Sequence, residues 1–389
     1  MPVEGKGDSP AVKVAHLTSC HPAFDPRIFH RECRSLARAG YSVTLVVPGD
    51  HDAECSGVLI ATFQKPKSRL HRFLLGSLRI LRKALAVDAS LYHIHDPDLI
   101  PVAVALRLIG KRVIYDVHED VPRQILVKHW IPKLFRRLIA LAVAAIEIAT
   151  AKCIFDGIVA ATPTIGKRFP PRKTVVVRNF PELGFANPGP PFKERKNDIV
   201  YIGGLNEARG LREMMRAVSE LSRDLDARLI LAGGLESSLS EEEVRSWMGF
   251  DRTVFLGNLS RDQISNLLST AKVGLCILHR VPNIVGSYPT KVFEYMAAGL
   301  PVVISNFLIP DLLGSFESGF FVDPQNTTEV ATAITDVLVN SQKAELMGQA
   351  GRRAVQTQFN WSHEAKALLG LYDRLTMGNS VLVRAAEVR

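Results

Sequence analysis

The chain has 389 residues and 42.9 kDa, of which 47% are apolar and 22% charged; that is about two domains at ~100–200 residues each, and it excludes a disordered chain. The longest uncharged apolar stretch, residues 138–146, falls far short of the ~18 residues that span a bilayer. The net charge of +9 divides into +12 over residues 1–180 and −3 over residues 181–389. The basic half suits nucleic acid, an anionic membrane surface or an acidic substrate.

Residues 1–10 carry Glu4, Lys6 and Asp8 with no apolar run, which predicts a disordered tail and no secretory signal. Short β-branched runs then alternate with helical patterns, the signature of βαβ units. Strands are expected at 12–18, 41–47, 58–63, 91–95, 112–117, 157–161 and 174–178. A helix capped by Asp25-Pro26, with Ile28, Phe29, Leu36 and Ala37 as its apolar stripe, should stop at Gly40. Residues 181–197 hold Pro181, Pro188, Gly189, Pro190 and Pro191 without apolar periodicity and read as a linker. Further strands are expected at 199–203, 228–232, 254–257, 274–278, 302–305 and 320–322, and helices at 329–338, 342–358 and from Trp361 to about 375. The last fifteen residues show no pattern. The five cysteines are scattered, with no C-x-x-C pair, so neither a disulfide framework nor a thiolate zinc site is expected, and the compartment should be a reducing cytosol.

Open α/β sheets bind ligands at the carboxyl ends of their strands, and four clusters fall there. Gly203-Gly204-Leu205-Asn206-Glu207-Ala208-Arg209-Gly210 reads either as a phosphate-binding turn closed by an arginine or as a plain βα turn, since it is no strict G-x-G-x-x-G. In Ser287-Tyr288-Pro289-Thr290-Lys291-Val292-Phe293-Glu294 a helix begins at Pro289 or Thr290, with Lys291 and Glu294 one turn apart. That pair suits a phosphate and a ribose, or is an ordinary i,i+3 ion pair. His93-Ile94-His95-Asp96-Pro97-Asp98 and Tyr115-Asp116-Val117-His118-Glu119-Asp120 end two strands of the first half. The period of two puts His93 with His95 and Asp116 with His118. Neither cluster matches H-E-x-x-H, and no metal site is expected. Basic and large apolar residues mingle in 65–83 and 128–137 (Trp130, Ile131, Leu134 and Phe135 in the latter). The pattern fits an interfacial membrane helix, and equally a helix packed on its own sheet with a solvated basic face. The basic segments lack the aromatic interleaving of a stacking platform, so no nucleic acid is expected.

With these motifs in order, the sequence resembles the family 4 retaining glycosyltransferases of the GT-B fold over residues 12–375. The resemblance rests on His21-Pro22-Ala23-Phe24-Asp25-Pro26-Arg27-Ile28-Phe29, on His95-Asp96-Pro97-Asp98 with Tyr115-Asp116-Val117-His118-Glu119, and most specifically on the block from Thr290 to Val303. It implies two Rossmann-like, doubly wound parallel-sheet domains facing a cleft: 11–180 for the acceptor, 198–358 for the nucleotide sugar, a helix at 359–376 crossing back to the first, and a tail at 377–389. It further implies Arg209 and Lys291 near the diphosphate and Glu294 on the ribose, with Gly203, Gly204, Ser287, Tyr288 and Thr290 lining the donor. His118 and Asp96 would be catalytic, and Asp25, Arg27 and His95 would stand on the acceptor side. No metal or other cofactor is implied, because backbone N–H groups and basic side chains stabilise the leaving diphosphate.

Two positions depart from the family pattern. Gly286 stands where the first carboxylate of Glu-x7-Glu is usual, and Leu205 stands where an arginine is common. The function implied is transfer of a sugar from a nucleotide diphosphate sugar to a glycan or a polyprenyl-diphosphate-linked precursor of a surface polysaccharide. The setting would be the cytoplasm, with the basic domain against the inner face of the membrane. The alternatives are a nucleotide-sugar epimerase of the same plan, which would turn over without an acceptor, and a weakly active glycan- or nucleotide-binding scaffold.

Overall fold

The computed structural model describes residues 11–65, 76–128, 130–187, 189–237, 239–309 and 317–386, with side chains as far as Thr376. The expected tail at 1–10 therefore lies outside the described residues, as do Lys67, Arg69, Arg72 and Phe73 to Leu75 of the first basic segment. The chain forms two compact units. One comprises the described residues up to Arg178 together with those from Glu364 onward; the other spans Asn179–His363.

The first unit is built on an eight-stranded sheet. Its strands are β1 (Lys13–Leu17), β2 (Ser42–Pro48), β3 (Ala53–Cys55), β4 (Val58–Phe63), β5 (Leu91–Ile94), β6 (Arg112–Val117), β7 (Gly157–Ala160) and β8 (Thr174–Val176), in the order β3-β4-β2-β1-β5-β6-β7-β8. Every pairing is parallel except β3 with β4. That hairpin was not expected: β3 has three residues and turns through Ser56 and Gly57, at φ +54° and +75°, the two positive φ values of a tight hairpin turn. The Asp25 carboxylate accepts the N–H groups of Arg27 and Ile28 at 2.8 and 2.9 Å. The helix it opens is wound as a π-helix over Ile28–Cys33 before continuing as an α-helix over Arg34–Arg38.

The helix Trp361–Ala386 runs eleven residues past its expected end. The last fifteen residues show no sequence pattern, but once a helix is nucleated each further residue adds a hydrogen bond at little cost. Within the first unit, Glu364 accepts from the Arg178 backbone N–H at 2.6 Å. Leu371 and Leu375 press on Gly157, where a Cβ would lie 3.0 and 3.1 Å from their methyl groups.

In the second unit six parallel strands, β9 (Asp198–Ile202), β10 (Arg228–Ala232), β11 (Thr253–Gly257), β12 (Val273–Cys276), β13 (Val302–Ser305) and β14 (Gly319–Val322), lie in the order β11-β10-β9-β12-β13-β14. Alternate residues feed two cores. Ile199, Tyr201, Leu231 and Leu275 enter one, while Val200, Ile202, Ile230 and Cys276 enter the other, as expected of a sheet covered on both faces. The segment expected as a linker is instead packed into this unit. Phe192 is buried, as is Phe180 just ahead of the segment, and the guanidinium of Arg195 donates to the carbonyls of Ala271, Ala298 and Gly299.

Candidate functional site

Strand order reverses between β9 and β12 in the second unit and between β1 and β5 in the first. At such points neighbouring connections leave in opposite directions and open a crevice at the carboxyl ends of the strands. Polar clusters occupy both.

In the second unit, β9 ends in Gly203-Gly204-Leu205 and its neighbour β10 ends in Gly233-Gly234-Leu235, with Leu205 bridged to Leu235. The two turns approach closely: a Cβ on Gly233 would lie 2.0 Å from the Gly203 oxygen. Asn206 caps the next turn by accepting the Arg209 N–H at 2.8 Å, and its amide donates to Glu236 at 2.6 Å. Two cations meet over Gly203. A Cβ at this position, whose φ is +122°, would stand 3.1 Å from Lys291 Nζ and 3.6 Å from Arg209 Nη1. The sequence expectation missed Gly233, Gly234 and Glu236, although the repeated Gly-Gly-Leu carried the signal.

Lys291 lies in the first turn of the helix Thr290–Ala297, which no side chain caps. It is buried, its Nζ has no hydrogen-bond partner among the described residues, and it sits 3.6 Å from the centroid of the Tyr201 ring. Burial, aided by the Arg209 charge, lowers its pKa from 10.5 to about 7. A buried amine without an acceptor, beside a second cation, two glycine turns and an uncapped helix start, is an arrangement that suits an anion. Glu294 lies one helical turn on and is half-buried. Tyr288 stacks on Phe293 with 6.5 Å between ring centroids, and Ser287 closes a turn by donating its N–H to the Ile284 oxygen at 2.9 Å. Gly286 takes φ +78°.

In the first unit, Asp96 ties the two switch-point strands together. Its Oδ2 accepts from the Thr18 hydroxyl and the Ser19 N–H, both at 2.7 Å, and its Oδ1 from the Cys20 thiol at 3.0 Å. Burial works against ionisation of Asp96, yet the Cys20 hydrogen bond and the His21 charge hold its pKa below the ordinary value. His21 is a residue the sequence expectation did not single out. Burial opposes its charge, but hydrogen bonds to Asp25 and Cys20 and the nearby Asp96 carboxylate hold its pKa up to about 11. Asp25 pairs with His21 at 3.3 Å. Burial would raise its pKa, but the His21 bond and the Ile28 N–H bring it down to about 2. His118, at the end of β6, packs edge-on against His21 with 5.0 Å between centroids. Burial lowers its pKa, against the pull of the Asp116 carboxylate, and so favours the neutral imidazole.

Arg27 and His95, expected to face an acceptor, are enclosed instead. Arg27 spends both prongs on Asp116 at 2.7 and 2.8 Å and donates to the Val177 oxygen at 3.0 Å. His95 bridges Asp116 at 3.0 Å and His16 at 2.9 Å. The chain of rings continues from His16 through the Tyr372 hydroxyl, 3.0 Å away, to His93 at 2.9 Å. Burial drives this: a charged pair inside a sheet unit must be satisfied by its own neighbours. Arg27 and His95 therefore position β1, β5 and β6. Among the described residues, His16, Glu32, His93 and His95, and separately Cys20, His21 and Asp96, cluster closely enough to reach a cation. In the first group His16 and His95 already bond each other; in the second Asp96 is committed to donors from β1 and its turn.

Two family models match successive parts of the chain: a glycosyl transferase 4-like domain over residues 27–179 and the group 1 glycosyl transferases over residues 186–354. An uncharacterised glycosyltransferase of Methanocaldococcus jannaschii is 24% identical over 45% of this chain and 44% of its own length. The chain spans less than half the length of the curated relatives it matches first. Among solved structures, sucrose-phosphate synthase from Thermosynechococcus elongatus is 20% identical with a TM-score of 0.74, covering 95% of this chain and 100% of its own. HepE of Anabaena, in complex with UDP and glucose, is 14% identical with a TM-score of 0.71, covering 93% and 100%. The chain belongs to the group 1 glycosyl transferases, and its fold is GT-B.

Proposed function

We propose that the protein is a retaining glycosyltransferase that moves a sugar from a nucleoside-diphosphate sugar to a hydroxyl of a glycan or a polyprenyl-diphosphate-linked saccharide. Its product would be a precursor of a surface polysaccharide, made in the cytoplasm. The observation that carries the donor is Lys291, whose buried ammonium lacks an acceptor and sits with Arg209 over Gly203. A diphosphate supplies the missing charge. HepE, which shares the fold, is a UDP complex, and this supports a uridine donor. Glu294 would accept ribose hydroxyls, with Ser287, Tyr288 and Thr290 around the donor and Gly204 letting its backbone approach closely.

When the bond from the anomeric carbon to the diphosphate oxygen breaks, the electron pair stays on the diphosphate. Arg209 and Lys291 would stabilise that charge where it develops, without a metal. The acceptor oxygen attacks the same face, and its proton passes to a phosphate oxygen. Asp96, bonded to Thr18, Ser19 and Cys20, would hold the turn that presents His21 and Asp25 to the acceptor, and the His118 imidazole would hydrogen-bond the transferring sugar. Incubation with radiolabelled nucleotide sugars and lipid extracts tests this. Label moving to a lipid or glycan supports transfer; turnover of the sugar nucleotide without any acceptor would indicate an epimerase instead.

A further inference from the structure

The helix Lys133–Cys153 of the first unit is amphipathic in an inverted sense. Its inward face is fixed by Glu147, fully buried and bonded to the Tyr115 hydroxyl at 3.0 Å and to Arg168, with Ala140 and Ala151 on the same side. That lock sets the rotation of the helix, and the face turned away from the sheet is apolar. Leu134, Leu138 and Leu141 are 84%, 66% and 69% exposed, Ile146 is 52%, and Phe135 is 50%. Ala142, Ala145 and Ala149 lie between them, also exposed. Between Arg137 and Lys152 the only charged residue is the buried Glu147. Just ahead of the helix stands Trp130, 61% exposed, with Lys128 5.8 Å from its ring. Water-facing helix surfaces are ordinarily polar, and a contiguous apolar face of this size marks an interaction site.

The geometry points to an anionic bilayer as the occupant: this helix lies in the lipid interface with Leu134, Phe135, Leu138 and Leu141 among the acyl chains and Trp130 at headgroup level. The charges select that partner. Lys133 and Arg137 at one end and Lys152 at the other are exposed, and the face carries no acidic residue to match them. A second copy laid antiparallel would set these basic ends against each other, whereas anionic headgroups neutralise them. No described helix is long and apolar enough to cross a membrane, so the contact is lateral. It deepens the lipid-linked-acceptor reading, because a polyprenyl diphosphate presents its headgroup at the same surface.

Trp247 and Trp361 are buried, which makes Trp130 the accessible reporter among the three tryptophans of the chain. The full chain is mixed with phosphatidylglycerol vesicles carrying brominated acyl chains, and with phosphatidylcholine vesicles as the neutral control. We expect co-sedimentation with the anionic vesicles at low salt and quenching of emission that Trp130→Phe removes. Leu138→Glu/Leu141→Glu should reduce partitioning at least tenfold, and Lys133→Gln/Arg137→Gln about fivefold per charge. Circular dichroism and thermal unfolding of the same variants should match the parent, since the altered side chains are exposed. Absence of binding at low salt, binding indifferent to the two glutamates, or a dimer in sedimentation equilibrium that the glutamates dissociate would each overturn the proposal. Titration of UDP into the same variants reads the donor site separately, so loss of lipid binding and loss of the transferase reading are distinguishable.

Discussion

Replacing Lys291 by methionine should stabilise the protein while weakening donor binding. The native protein binds the Lys291 proton only below about pH 7, whereas the unfolded chain holds it up to about 10.4. Between those values the unfolded state carries more protons, so stability rises with pH. Below pH 7 the whole penalty of a buried, unmatched charge stands against folding. A shift of three to four pH units corresponds to roughly 4–5 kcal/mol. Methionine keeps the stem that packs on Tyr201 and discards the charge. At ~2–4 °C per kcal/mol for a unit of this size, and allowing for the lost cation–π contact, the second unit should melt about 5–10 °C higher at pH 6. The gain should shrink toward zero near pH 10. UDP affinity should fall about ten- to a hundredfold, the worth of one charge-assisted hydrogen bond. The parent's affinity should also weaken above pH 7 as Lys291 deprotonates, while the variant's profile stays flat there. Calorimetric unfolding and titration across pH 6–10 read both effects. A variant that melts lower at pH 6, or binds UDP as the parent does, would refute the reasoning.

Arg209→Ala and Glu294→Ala should each cost about ten- to a hundredfold in UDP affinity with unchanged melting; calorimetric titration measures this, and unchanged affinity in both would remove the donor assignment. His118→Ala should leave the UDP dissociation constant within about twofold and slow sugar transfer about tenfold or more, so parallel binding and single-turnover assays separate its role from that of Arg209. Arg27→Ala should destabilise the first unit by about 3–5 kcal/mol, because Asp116 loses its two-pronged buried partner and Glu32 a cation 3.1 Å away. Denaturant titration checks it, and Arg27→Lys should rescue little, since an ammonium cannot replace the two-pronged contact.

The α/β plan was legible because each strand is a short β-branched run between turn signals, and the two sheets follow that spacing from β1 to β14. The cations were legible as residue types but not as a pair. Lys291 and Glu294, three residues apart, suggested an ion pair, yet burial turns the ammonium onto the Tyr201 ring toward Gly203, whose turn lies nearly ninety residues earlier in the chain. The enclosure of Arg27 was hidden for the same reason: its partner Asp116 is 89 residues away, and no local pattern announces it. The period of two did place His93 and His95 together, and both rings lie against His16. What it could not supply was Tyr372, brought to them by a helix at the far end of the sequence. Trp130 and Phe135 illustrate the limit from the other side. A core or an exposed setting gives the same sequence pattern; the helix rotation fixed by Glu147 turns Phe135 outward, and Trp130 is exposed just ahead of that helix.

The central claim, that the second unit binds a nucleoside diphosphate through Arg209 and Lys291, is tested most directly by calorimetric titration of UDP, GDP and ADP against the corresponding monophosphates at pH 7. The account predicts that at least one diphosphate binds at least ~10-fold more tightly than its monophosphate, the worth of about one charge-assisted bond, and that Lys291→Met abolishes the difference. Equal binding of mono- and diphosphates, or no binding of any of them, would contradict it.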